Sequence, residues 1–60
     1  MQFILFKARY REWETVAVKN SLEEIKQECI DNWGFPDTIL EDDIEFASWL
    51  KGIEMKYETV

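Results

Sequence analysis

Four carboxylates stand almost side by side in this chain: Glu41, Asp42, Asp43 and Glu45. Asp37 precedes them, and Phe46 and Trp49 follow closely. Such a cluster can hold a divalent cation, present a negative surface to a cationic partner, or simply keep a small protein in solution. A calcium loop of the EF-hand kind needs oxygens at alternate positions, a central glycine and a terminal glutamate. The run EDDIE lacks that spacing, so no metal and no cofactor is expected. A solvated acidic face is the plain reading. The functional reading is an anionic recognition surface made by Glu41, Asp42, Asp43, Glu45 and Trp49, reinforced by Glu24, Glu28 and Asp31. Spaced negative charges of this kind resemble a phosphate backbone and suit the basic groove of a nucleic-acid-handling protein. Charge would steer the encounter, and buried aromatic surface would supply affinity.

The remaining chemistry-bearing residues exclude more than they suggest. There is no histidine, which removes the commonest general base, the usual activator of Ser and Cys nucleophiles, and the usual zinc ligand. The single cysteine, Cys29, falls on an apolar stripe where thiols act as packing. Two glycines, Gly34 and Gly52, are too few for a phosphate-gripping loop or a dinucleotide fingerprint. An enzyme is not expected. Lys7, Arg9 and Arg11, with Tyr10 and Trp13 beside them, raise the opposite idea of direct nucleic-acid binding. Three cations on a chain of net charge −6 are a weak footprint for that. They are expected to line a sheet face and pair with Glu12 and Glu14.

Charge is also unevenly placed. Residues 1–20 sum to +2 and residues 21–60 to −8, which suggests one face with a preference for a basic protein.

The element that must position these groups is clearest at residues 21–36, SLEEIKQECIDNWGFP. Ser21 and Glu24 form a capping box, and Glu23 and Glu24 put negative charge in the first turn, where the helix dipole favours it. Leu22, Ile25, Cys29, Ile30 and Trp33 make one stripe of 3.6-residue period. Gly34 suits a left-handed cap, and Pro36 prevents continuation. The spacing predicts a helix of roughly three turns, with Lys26 at the margin of the stripe and its ammonium in water.

Residues 3–10 read as a strand with Ile4, Phe6, Ala8 and Tyr10 on its inner side. Residues 14–19 read as another, with Val16 and Val18 inward. Without Asn-Gly or Asp-Gly between them, a loop of three or more residues is expected, placing Phe6 near Val18 and Ala8 near Val16. Residues 53–59 alternate Ile53, Met55 and Tyr57 against Glu54, Lys56 and Glu58, a half-buried strand. Residues 37–52 are ambiguous. Thr38 and Glu41 form a second capping box and favour a helix, whereas Ile44 and Phe46 also alternate as in a strand. The helix is preferred.

These elements make one α+β domain: a three-stranded antiparallel sheet in the order β-β-α-(α)-β with one or two helices on one face. A chain of 60 residues buries only about 60% of its unfolded surface. One cysteine cannot staple it, so nine aromatic residues must carry much of the core. Trp13 and Trp49 are the tryptophans expected at the surface, where a homodimer or another protein could cover them. No run approaches a membrane span, and the N-terminus lacks the features of a signal peptide. With a lone reduced cysteine, the cytoplasm is the expected location.

KNSLEEIKQECIDNWG after an antiparallel hairpin, followed by GIEMKYETV, resembles the layout of small acidic accessory proteins encoded by bacteriophages and prophages. The likeness covers most of the chain through pattern and not through a motif. It implies a protein that binds and blocks a host enzyme, such as a polymerase, a nuclease or a defence complex. The competing expectation is a structural module that self-associates through its sheet face and Trp13.

Overall fold

A computed structural model describes residues 1–60. The chain runs β1 (Phe3–Arg9), β2 (Glu12–Lys19), α1 (Leu22–Trp33), a 3-10 turn (Asp37–Leu40), α2 (Asp43–Gly52) and β3 (Met55–Thr59). The sheet is antiparallel in the order β2-β1-β3, so the first strand lies in the middle. Both helices cover one face, α1 beside β1 and β2, α2 beside β3. No helix is long and apolar enough to cross a membrane.

α1 forms as its sequence dictates. Ser21 accepts from the Glu24 amide, and Gly34 takes the left-handed conformation at φ 73° while its amide reaches the Cys29 carbonyl. Ile25 and Cys29 are fully buried, and Leu22, Ile30 and Trp33 pack around the same core.

The hairpin differs from expectation in three respects. Its connection has two residues, Tyr10 and Arg11, with Tyr10 at φ 57°. A non-glycine residue there carries strain that glycine would not, which is why the sequence does not announce the turn. Register is Ile4 with Val18, Phe6 with Thr15 and Ala8 with Trp13, because a bulge lies between Leu5 and Phe6 and leaves Val16 without a counterpart on β1. The inward row is also the opposite one. Phe3 and Leu5 face the helices, with Leu5 fully buried, while Ile4, Phe6 and Ala8 lie on the open side. Both rows of β1 are apolar, so alternation could not choose between them.

Residues 37–52 are helical, not extended, but Thr38 does not cap them. Thr38 sits inside the 3-10 turn, and α2 starts five residues later, with Asp42 accepting from the Ile44 and Glu45 amides. α2 then buries Phe46 and Leu50. Phe46 stacks on Tyr57 at 5.7 Å and meets Phe35 edge-on at 6.1 Å, and Trp49 lies 5.5 Å from Phe35. Each such pair adds roughly 0.5–1.5 kcal/mol to the burial of its rings. The aromatic residues thus join α2, the loop after α1 and β3 without a disulfide. Lys7 completes the joint by donating from Nζ to the Ile53 carbonyl at 2.6 Å, pinning the turn between α2 and β3.

Candidate functional site

Two helix N-termini meet at the acidic cluster. Lys26, one turn into α1, is 4% exposed. Its Nζ lies 2.5 Å from Asp43 Oδ1 and 3.5 Å from the Leu40 carbonyl. The expectation of a solvated ammonium is therefore wrong. Its stem lies in the core and its head is tied to the start of α2. The reason is tertiary: the partner lies 17 residues away and cannot be seen in the helix itself.

This tie sets the start of α2 against the first turns of α1. Ser21 at the α1 cap and Glu23, Glu24 and Gln27 of α1 border a shallow depression together with Leu40. Glu23, Glu24, Glu41, Asp42 and Asp43 consequently belong to one acidic end of the molecule. Salt bridges elsewhere join Arg9 to Glu14, Lys19 to Glu28 and Lys56 to Glu58. None reaches Glu23, Glu24, Glu41, Asp42 or Glu45, and the one ion pair at this end is that of the buried Lys26 with Asp43.

The five residues singled out by sequence divide between two jobs. Asp42 caps α2 and Asp43 neutralises Lys26, so both have structural work to do. Helical spacing sets Glu45 and Trp49 in one row at the α2 surface, while Glu41 and Asp42 precede the first turn of α2. Trp49 is 40% exposed, with the rest of its ring on Phe35. Asp43 turns away from that row toward α1. Glu28 is drawn off by Lys19, and Asp31 accepts from Gln27 at 2.9 Å, so the far end of α1 adds less to the surface than its composition suggests. Glu23, which sequence reasoning placed only as a first-turn acid, is part of it. No three of the Cys, Asp and Glu side chains converge as a metal-binding group.

No protein family, curated protein or solved structure matches this chain.

The second surface of note is the open side of the sheet. Ile4, Phe6, Ala8, Trp13 and Val18 share it, and Trp13 is 48% exposed as expected. Lys56 crosses this face, its Nζ 4.7 Å from the Trp13 ring centre and 5.3 Å from that of Phe6, and it also binds Glu58 at 2.8 Å. The lysine stem thus shields apolar surface that the helices do not cover. Arg9 does pair with Glu14 as anticipated, at 2.5 Å, but on the helix side of β1 and largely in water. Exposed pairs of that kind contribute little. Beside the free edge of β3 a groove of about 520 Å³ opens between α2 and the strand.

Burial pushes the Cys29 thiol up to about 12, with the neighbouring Glu28 carboxylate adding to the effect. A thiol so far from ionising at neutral pH is a poor nucleophile.

Proposed function

We propose that this chain is a protein-binding module that acts through its acidic end on a basic surface of another protein. A nucleic-acid-handling enzyme is the favoured partner class. The observation that carries this reading is the juxtaposition of the α1 and α2 N-termini, which brings Glu23 and Glu24 toward the Glu41–Asp43 run, where Asp43 alone is paired with a cation. Glu45 and Trp49, one turn apart on α2, add a further carboxylate and partly exposed aromatic surface. The resemblance to small phage-encoded inhibitors of host enzymes points the same way, and cytoplasmic action would follow from it. No catalytic step is assigned.

The test uses acids without structural work. Immobilised protein and a Glu41→Lys/Glu45→Lys variant are exposed to bacterial lysate and washed at low and high salt. The reading expects a nucleic-acid enzyme held by the parent at low salt, released by the variant and by salt, and inhibited when the parent is added back. Equal capture by both proteins would overturn it. The open sheet face with Trp13 favours a second reading, assembly through apolar contact, for which Trp13→Ala is the discriminating change.

A further inference from the structure

We propose that the free edge of β3 pairs antiparallel with β3 of a second copy of this chain, about a two-fold axis at Tyr57. The argument starts from which backbone groups are still unpaired. Ala8 donates to the Glu54 carbonyl, and Gln2 and Val60 exchange both of their hydrogen bonds. Even-numbered residues of this segment therefore point their amides and carbonyls at β1, and those of Met55, Tyr57 and Thr59 point outward from the sheet. An outward row of this kind is a template for another strand.

The two edges of the sheet are not equivalent. β2 carries the bulge at Val16, which twists an edge away from further pairing. β3 is paired to β1 without a break over its whole length and contains no proline.

Register then selects the occupant. With Tyr57 on the axis, Met55 lies opposite Thr59, and Lys56 opposite Glu58 of the second copy, twice by symmetry. A shift in one direction sets Lys56 against Lys56, and in the other Glu58 against Glu58. Like charges directly opposite destabilise a ladder and opposite charges support it. The full-length pairing is thus the charge-complementary one, and the strand is complementary to itself.

Such an axis stands perpendicular to the sheet and puts both helix layers on one side. The groove beside β3, flanked by Ala47 and Lys51 of α2, leaves the edge uncovered. Ile44, one turn earlier on the same helix face and 83% exposed, would gain cover from the neighbouring α2. This contact uses the strand edge and is independent of the acidic end.

Sedimentation equilibrium of the full chain over a wide concentration range provides the test. The parent is expected to dimerise. Glu58→Lys alone or Lys56→Glu alone should weaken the dimer about tenfold, since each change creates two like-charged pairs. The exchanged pair Lys56→Glu/Glu58→Lys should restore it. Thr59→Pro removes an outward amide that the monomer does not use and should abolish dimerisation with the circular dichroism spectrum retained. Amide exchange in the parent needs no substitution: Met55, Tyr57 and Thr59 should gain protection as concentration rises. A monomer at every concentration overturns the proposal, as does a dimer indifferent to Thr59→Pro and to both reversals. A dimer lost only with Trp13→Ala also overturns it, and assigns assembly to the open face.

Discussion

Lys26 and Asp43 form an ion pair of unequal partners: the lysine side chain is 5% exposed and the aspartate side chain 79% exposed. One partner has lost its water and the other has kept it. The energetic consequences of removing each are correspondingly unequal.

Asp43→Ala leaves a buried ammonium with the Leu40 carbonyl as its remaining acceptor, and should cost about 1–2 kcal/mol. Lys26→Met leaves a solvated carboxylate and fills the same space with apolar atoms, so it should change stability by less than about 1 kcal/mol. Urea unfolding of the two variants measures the difference. Equal losses would mean that the pair acts by Coulomb attraction alone and not through burial of the lysine.

Helix α2 should depend on Asp42 and not on Thr38. Asp42→Ala removes the acceptor for two backbone amides and should cost about 1 kcal/mol, with Asn retaining most of the capping. Thr38→Ala should be close to neutral, because the α-helix starts beyond it. Thermal unfolding of the three variants is the check.

Two non-glycine residues sit at positive φ: Tyr10 at 57° in the hairpin turn and Glu54 at 56° before β3. Tyr10→Gly and Glu54→Gly should each stabilise by about 0.5–1 kcal/mol, the relief of the left-handed conformation outweighing the entropy of glycine. The converse holds at Gly34, also left-handed, where an added Cβ would meet nothing within 4 Å. Gly34→Ala should therefore lose about 1 kcal/mol through the backbone alone. Chemical denaturation reads all three.

Cys29 predicts a pH dependence with a definite sign. Its thiol ionises near 9.0 when free and at about 12 in the folded chain. The unfolded state thus releases a proton that the folded state retains, so stability is complete below about pH 9 and falls as pH rises toward 12. Subtracting the profile of Cys29→Ala isolates this contribution from lysine and tyrosine titration. Thiol labelling at pH 8 should also be slow, at a rate set by opening of the core.

Legibility in the sequence followed the range of the interactions involved. α1 was readable from end to end because Ser21, the Ile25 and Cys29 stripe, and Gly34 all act within a turn or two of one another. The α+β class and the alternation of β3 were readable for the same reason. The inward face of β1 was not, because Phe3 and Leu5 compete with Ile4 and Phe6 on equal terms and the helices decide the matter. The bulge at Val16 and the two-residue turn leave no local signal, since neither uses glycine or asparagine. At the acidic end, types and exposure were legible, but the division of labour among Asp42, Asp43 and Glu45 depends on where Lys26 arrives. No reading of residues 41–45 alone could show that.

The central place of β1 has a bearing on how the chain reaches its folded state. One neighbour follows a turn of two residues, while the other lies some fifty residues further along, as the pairing of Phe3 with Thr59 shows. Closing the first contact costs little chain entropy and closing the second costs more. As the polypeptide emerges from its N-terminal end, the hairpin can form early and α1 can shelter Leu5, yet one side of β1 must stay bare until residues 54–60 arrive. β1, made before either of its neighbours, is the last of the three strands to be completed.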